Sequence, residues 1–308
     1  MSTLQLGIDL GGSKIELIAL DHSGQSLLRQ RVPTPKDDYE AILDAITQLV
    51  LSAEKQLDAK GTVGIGTPGS LSRVDGCLRN SNSTCLNGRT ILQDLKARLQ
   101  RPVALSNDAN CFALSEATDG SGADAGVVFA VIIGTGTGAG IVVNHRVLQG
   151  PNGIAGEWGH NPLPWPEDEE RPGPTCYCGK QGCIETFLSG PGMQNDYATM
   201  TGNLLSAETI VAQAASGDKD SEQVLLRYED RMARSLAHVI NIVDPDTIVL
   251  GGGMSNIKRL YQNVPKLWGQ YVFSDRVDTR LVAAMYGDSS GVRGAAWLGR
   301  AAEVGKES

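Results

Sequence analysis

The stretch CYCGKQGCIE, residues 176–185, places three cysteines and a glutamate within ten positions. Cys-x-Cys-x4-Cys is too tight for structural disulfides and leaves an odd thiol, but it suits a tetrahedral zinc site that still lacks one ligand. Of the four histidines, His22 and His145 sit in strand-turn segments and His238 in a helical one, where packing or solvation accounts for each. His160 closes GEWGH (residues 156–160), a glycine-bounded turn upstream of Cys176. His160 with Cys176, Cys178 and Cys183 makes a closed shell with no position for a reacting water, so the expected metal is a structural zinc. It would pin the two loops together and make neighbours of Glu157 and Glu185. Paired carboxylates hydrogen-bond vicinal hydroxyls, as a sugar site requires; plain surface charge is the competing explanation.

A second set of candidates lies at glycine turns. LQLGIDLGGSKIELIAL (residues 4–20) and FAVIIGTGTGAGIVV (residues 129–143) share one plan of apolar strand, glycine turn and apolar strand. Such an echo implies two related domains facing each other, each contributing one glycine loop. Glycine lets backbone N–H groups approach a phosphate closely, which makes Gly11-Gly12-Ser13 and Gly134-Thr135-Gly136 candidate nucleotide loops. No G-x-x-x-x-G-K-[ST] is present, which excludes the P-loop class. Gly134-x-Gly136-x-x-Ala139 loosely fits a dinucleotide fingerprint, yet that fingerprint needs a following helix and GIVV reads as strand. Asp9, set among Leu6, Ile8 and Leu10, is costly to bury unless a cation is near. Mg²⁺ carried by ATP phosphates would satisfy it through water; capping of its own glycine turn is the alternative. Gly251-Gly252-Gly253 ends a strand and either flanks adenine or marks a close backbone crossing.

Asn107-Asp108 closes the apolar strand PVALS and opens a helix. Catalytic groups gather at the carboxyl ends of strands in α/β sheets. An aspartate, with a reference pKa of about 3.9, can accept a proton from a hydroxyl that attacks a γ-phosphate. An ordinary Asn/Asp helix cap is the competing explanation.

The elements that must hold these groups alternate along the chain. Residues 37–57 have helical apolar spacing, GTVGIGTPG is a strand entering a Pro-Gly loop, TILQDLKARLQ is helical, PVALSND is a strand, and ANCFALSEATDG resumes a helix. That order argues for an α/β layered architecture. Residues 221–243 form a long amphipathic helix stopped by DPD, TIVL is a strand ahead of the three glycines, and GVRGAAWLGRAAE is helical. WPEDEERPGP (residues 165–174), acidic and proline-rich, reads as a solvated loop. With 308 residues, 41% of them hydrophobic, the chain can fill two domains. Its net charge of −8 opposes a nucleic-acid face. No apolar run reaches the roughly 18 residues of a membrane span, and an early Asp9 without a basic n-region opposes a signal peptide. Reduced thiols, three of them clustered, point to the cytoplasm.

Taken together, GIDLGGSK, NDAN, IIGTGTGAG, AGEWGHNPLPW, CYCGKQGCIETF, IVLGGG and GDSSGVRGAAW resemble the repressor–open-reading-frame–kinase (ROK) family of sugar kinases across nearly the whole chain. The resemblance implies a two-domain actin-like ATPase (ribonuclease H-like) fold with an interdomain cleft: an N-terminal α/β domain over 1–118, joined by a C-terminal helix at 291–308, and a larger domain over 119–290. AGEWGHNPLPW, NSTCLNG and IVLGGGMSN are most similar to the bacterial fructokinase (manno-fructokinase) branch. The implied activity is an ATP:hexose phosphotransferase acting on the 6-hydroxyl of D-fructose. N-acetylglucosamine kinase, glucokinase and mannokinase are the alternatives within the family.

By the same resemblance Asp108 is the base, and Asn107, Glu157, His160 and Glu185 contact sugar hydroxyls, His160 through the nitrogen not on zinc. Gly69 and Asn82 belong to the far wall of the sugar pocket. Asp9 faces Mg²⁺, while Gly11, Gly12, Ser13, Lys14, Gly134, Thr135, Gly136, Gly138, Gly252 and Gly253 line the nucleotide. Relatives often carry Trp where this chain has Cys85. Many members are homodimers, which is the expectation here. A sugar-responsive repressor of the same family would carry a DNA-reading domain ahead of the first hairpin, which here starts within the first few residues. A nicotinamide dehydrogenase with structural zinc fails on the strand after Gly134.

Overall fold

Both glycine turns join strands. The computed structural model describes residues 4–81 and 83–304. Asn82 and the last four residues of the expected 291–308 helix therefore lie outside the described residues. In chain order the elements are β1 (Leu4–Leu10), β2 (Lys14–Leu20), β3 (Ser26–Pro33), α1 (Tyr39–Leu57), β4 (Gly61–Thr67), β5 (Ser70–Leu71), β6 (Leu78–Arg79), α2 (Ile91–Leu99), β7 (Val103–Asn107) and α3 (Asp108–Thr118). They continue as β8 (Val127–Ile133), β9 (Thr137–Val143), β10 (Arg146–Val147), α4 (Glu185–Leu188), α5 (Gly190–Thr201), α6 (Ala207–Ala215), α7 (Lys219–Val243), β11 (Thr247–Gly251), α8 (Leu260–Trp268), β12 (Arg280–Ala283) and α9 (Ser290–Val304).

The sequence echo is a structural repeat. Of the two five-stranded sheets, the first runs β3-β2-β1-β4-β7 and the second β10-β9-β8-β11-β12, while β5 and β6 form a separate antiparallel pair. In the first, β1, β4 and β7 are parallel while β2 and β3 are antiparallel additions. In the second, β8, β11 and β12 are parallel and β9 pairs antiparallel with β10. Among the described residues, the first compact unit holds those within 1–123, 140–155 and 285–308, and the second those within 124–139 and 156–284. The expected contiguous block at 119–290 is thus interrupted. Residues 140–155 fold with the first unit because Gly140 lies flush on α3, where a Cβ would press on the Ala113 methyl and the Ala109 carbonyl.

In the first unit α9 lies against β1 and β4 almost without intervening side chains. A Cβ on Gly7 would collide with the Val292 carbonyl, and one on Gly64 with the Ala295 carbonyl. Trp297, Val292 and Ala296 then close a core with Ile18, Leu20 and Leu114. On α1, Asp38 accepts from the Ala41 N–H (3.0 Å) as N-cap, and Ile42, Leu43, Ile46, Leu49, Val50 and Ala53 supply the buried stripe. The parallel register aligns Asp9 with Gly66 and Thr67 with Asn107, so the carboxyl ends of β1, β4 and β7 share one edge.

In the second unit α7 is held between an Asp218 N-cap and a left-handed Asp244, and buries Val224, Leu225, Tyr228, Met232, Leu236 and Val239. Residues 165–174 are the expected solvated loop at seven of ten positions, and Glu170 is its buried exception. Glu170 is only 6% exposed and accepts from Arg231 Nε (2.6 Å), Arg234 Nη1 (2.8 Å) and Arg234 Nη2 (2.9 Å). Asp196 and Asp230 complete the charge balance at 3.0 and 2.8 Å from those arginines. Trp165 stacks on Tyr271 (5.5 Å, 21°). The arginines stand more than sixty positions downstream on α7, so local composition did not reveal the pairing. Among the described residues no helix is long and apolar enough to cross a membrane.

Candidate functional site

The first unit carries two acids at the shared strand edge. Asp9 is the last residue but one of β1 and lies opposite Glu16. Burial, with the neighbouring Asp108 and Glu16 carboxylates, pushes the Asp9 carboxyl up to about 6. The turn does not direct all its amides to it, since Gly11 N–H donates to the Lys14 carbonyl (3.0 Å). Glu16 is itself spoken for: Arg31 Nε donates to it at 2.5 Å and Arg29 also holds it. With Glu16 paired to arginine, the negative charge left at this edge is that of Asp9 and Asp108, offset in part by Lys14, and a dication suits it. Thr34, which the sequence reading missed, braces the loop: its hydroxyl donates to the Gly11 carbonyl (2.7 Å) and its N–H to the Ser13 carbonyl (3.1 Å). Gly12, Ser13 and Lys14 are exposed.

Asn107 and Asp108 divide the roles their position left open. Asn107 is the N-cap of α3, accepting from the Asn110 N–H at 2.9 Å. Asp108 is the first helical residue and accepts from the Ala109 N–H at 2.8 Å. Burial raises the Asp108 carboxyl, and hydrogen bonds from the Ala109 and Asp108 N–H groups offset this only in part. Gly69, with φ at +88°, backs tightly onto residues 79–81, where a Cβ would strike the Arg79 carbonyl. Beside Asn107 a cavity of about 290 Å³ is lined by Leu71, Leu92, Leu105, Gln93 and Asn110. The Oδ1 of Asn110 is buried without a hydrogen-bond partner.

The second unit gathers His160, Cys176, Cys178 and Cys183, whose candidate ligand atoms all lie within 4.8 Å of one another. His160 Nδ1 is 3.5 Å from Cys176 Sγ, and Cys178 Sγ is 3.6 Å from Cys183 Sγ. A tetrahedral zinc with ordinary bond lengths would set these edges at about 3.6 and about 3.8 Å, so the donor set fits the metal. The loops are also tied by backbone. Ile184 N–H donates to the Asn161 carbonyl (2.9 Å), Leu163 N–H to the Gly182 carbonyl (2.9 Å), and Pro162 bridges Cys183. Zinc would therefore finish a clamp that main-chain hydrogen bonds begin.

GEWGH is positioned by its middle. Trp158 is buried edge-on against Phe129 (5.5 Å), and Gly159 lies so close to Thr137 that a Cβ would meet its carbonyl. Glu157 stays exposed. Glu185 Oε2 accepts from the Thr137 N–H (2.9 Å), and a Cβ on Gly136 would approach that oxygen to 2.7 Å. The second glycine loop is further fixed by Gly134 N–H donating to the Gly136 carbonyl (2.9 Å) and Gly190 N–H to the Gly134 carbonyl (2.8 Å). Glu185 thus joins the cysteine cluster to the glycine loop, a link that spacing alone did not show. Thr135 and Gly138 lie in and just past this loop. At the third loop Gly252 has φ at +78° and abuts Ile133, whose carbonyl a Cβ would strike; the close crossing is real there, and Gly253 opens a 3₁₀ turn rather than an α-helix.

Residues 5–302 match the ROK family. The chain belongs to the ROK family. Its two-sheet α/β architecture is the actin-like ATPase fold of the ROK sugar kinases. Across 296 residues it is 40% identical to an N-acetyl-D-glucosamine kinase of Photobacterium profundum, covering 95% of this chain and 98% of that one. An N-acetyl-D-glucosamine kinase of Pectobacterium atrosepticum is likewise 40% identical over 296 residues, covering 95% and 97%. The fold matches that of a ROK hexokinase from Thermus thermophilus with a TM-score of 0.87 at 29% identity, over 100% of this chain and 99% of that one. A ROK family glucokinase from Streptomyces griseus, in complex with glucose and AMPPNP, matches with a TM-score of 0.74 at 26% identity over 97% and 99%. None of these four ROK relatives is a fructokinase, so the expected closeness to that branch is without support from them.

Proposed function

We propose that this ROK protein is an ATP-dependent hexose kinase whose preferred sugar is N-acetyl-D-glucosamine. The observation that carries the reading is the 40% identity to a kinase of that sugar over 95% of the chain.

In this reading Gly69, Asn107, Glu157, His160 and Glu185 are the residues that hold sugar hydroxyls. Asp108 accepts the proton of the 6-hydroxyl while its oxygen bonds to the γ-phosphorus and the bond to the β-bridging oxygen breaks, releasing ADP. Burial makes Asp108 a stronger base than an exposed aspartate. Its rigid mounting, at the first position of α3 behind the Asn107 cap, keeps the carboxylate oriented. Gly11, Gly12, Ser13 and Lys14, with Gly134, Thr135, Gly136 and Gly138, offer N–H groups to phosphate oxygens, and Gly252 and Gly253 flank the base. Mg²⁺, held by Asp9 through water, would neutralise phosphate charge. Zinc on His160 Nδ1 and the three thiolates would be structural, since four protein donors leave no open position. A cytoplasmic homodimer belongs to the same proposal.

ADP release from ATP with N-acetyl-D-glucosamine, glucose, mannose and fructose tests the reading. N-acetyl-D-glucosamine should give the highest kcat/KM, by about tenfold or more, a margin of the size one well-filled contact provides. Preference for fructose would return the protein to the fructokinase branch.

A further inference from the structure

Tyr177 sits between two zinc-site cysteines and is 83% exposed, yet its hydroxyl lies 2.9 Å from His160 Nε2. The rings meet edge-to-face at 5.0 Å and 88°. We propose that Tyr177 is a cap on His160 that the substrate sugar displaces. The inference rests on the hexose reading of this site and adds to it a residue that controls access to one of the sugar-binding groups.

The proton inventory of the imidazole sets the argument. His160 Nδ1 faces Cys176 Sγ at 3.5 Å, on the metal side. A ring whose Nδ1 gives its lone pair to a metal carries its proton on Nε2, and the group bonded there fixes the ring's orientation. Nε2–H therefore donates to the phenol oxygen. A sugar hydroxyl that needs this same N–H must take the place of the phenol.

The backbone beneath Tyr177 cannot make room, because the hairpin is tied on both sides. Cys176 N–H donates to the Lys180 carbonyl (2.8 Å), Gly179 N–H donates to the Cys176 carbonyl (3.0 Å), and Thr175 bridges Gln181. Displacement is thus a rotation of the side chain alone. That rotation exchanges one exposed hydrogen bond for bonds to water and loses one edge contact, a small change in free energy. Without sugar the phenol keeps the imidazole satisfied and correctly turned for the metal. With sugar present the N–H passes to the ligand, so any sugar lacking a hydroxyl at that point has to leave the cap closed.

Calorimetric titration of N-acetyl-D-glucosamine without ATP into the parent, Tyr177→Phe and Tyr177→Ala proteins tests the cap, with zinc content measured on each. Tyr177→Phe has no phenol oxygen to displace and should bind the sugar about two- to fivefold more tightly, the worth of one exposed hydrogen bond, with zinc retained. The KM for sugar should fall while the KM for ATP stays. Tyr177→Ala should bind more tightly in the same direction. Weaker binding by the zinc-loaded variants would mean that the phenol contacts the sugar, and unchanged binding would mean that it never competes; either overturns the cap. A parent protein that turns over no hexose overturns the hexose reading, and the cap with it.

Discussion

Asp9 and Asp108 stand at one edge of the same sheet, at the end of β1 and the start of α3, near enough for the Asp108 charge to help raise the Asp9 carboxyl to about 6. The cause is topological. Parallel pairing of β1 with β4 and of β4 with β7 brings their carboxyl ends level, and α3 begins where β7 stops. Two acids held together without an equal number of cations cost stability, and that cost persists in a fold where a bound cation relieves it.

Asp9→Asn removes a carboxylate whose ionisation burial makes costly, with the Asp108 and Glu16 charges adding to that cost. The folded pKa of Asp9 lies above its unfolded value, so the ionised carboxylate destabilises the ligand-free protein at pH 7 and the penalty disappears as pH falls through about 6 toward 3.8. Thermal melts without nucleotide or Mg²⁺ should show the variant about 1–2 kcal/mol more stable at pH 7.5 and the gain shrinking below pH 6. ATP-dependent turnover should fall together with the Mg²⁺ response. A variant less stable at pH 7.5 would contradict a penalty for the buried, ionised Asp9.

Glu170→Gln leaves Arg231 and Arg234 short of one buried countercharge. Loss of about 2–4 kcal/mol is expected, since Asp196 and Asp230 still compensate in part. Burial works to raise the Glu170 carboxyl, but hydrogen bonds from Arg234 and Arg231 overcome it and hold the group at about 2. Its stabilisation is therefore complete above 4.5 and lost as pH falls toward about 2. Urea unfolding at pH 7 and pH 3 should show the parent and variant converging at the lower pH; a constant difference would place the effect in packing rather than charge.

Cys178→Ser should lose zinc and sugar affinity together, but not the fold. The hydrogen bonds from Ile184 to Asn161 and from Leu163 to Gly182 remain to hold the loops near each other. Metal analysis paired with sugar calorimetry checks this, with circular dichroism to confirm the fold. Full sugar affinity in a metal-free variant would separate the zinc from the pocket.

Much of this architecture was legible because its signals are local. The paired hairpins, the N-cap at Asn107 and the ligand spacing at Cys176, Cys178 and Cys183 each occupy a few consecutive residues. What stayed hidden depends on partners far along the chain. Glu170 looked solvated until Arg231 and Arg234 arrived from α7, and the bond between Glu185 and Thr137 spans 48 positions. The tie from Tyr177 to His160 needed the hairpin's fold as well as its sequence. Residues 140–155 joined the first unit through a glycine contact that no periodicity marks. Short motif likeness pointed to the fructokinase branch, whereas two relatives matched over 95% of the chain are N-acetyl-D-glucosamine kinases, a likeness that a few consecutive residues do not carry.

The most direct measurement is sugar-dependent ADP release by the parent protein and by Asp108→Asn, followed from pH 4 to pH 8. The account predicts turnover with N-acetyl-D-glucosamine that the substitution lowers by at least about a hundredfold, while sugar affinity survives. It also predicts that the parent's kcat/KM declines on the acid side at a pH above the ordinary aspartate range, because burial raises the Asp108 carboxyl and only its ionised form accepts a proton. Retention of most turnover by Asp108→Asn would contradict it and leave Asp108 a residue of the helix start and nothing more.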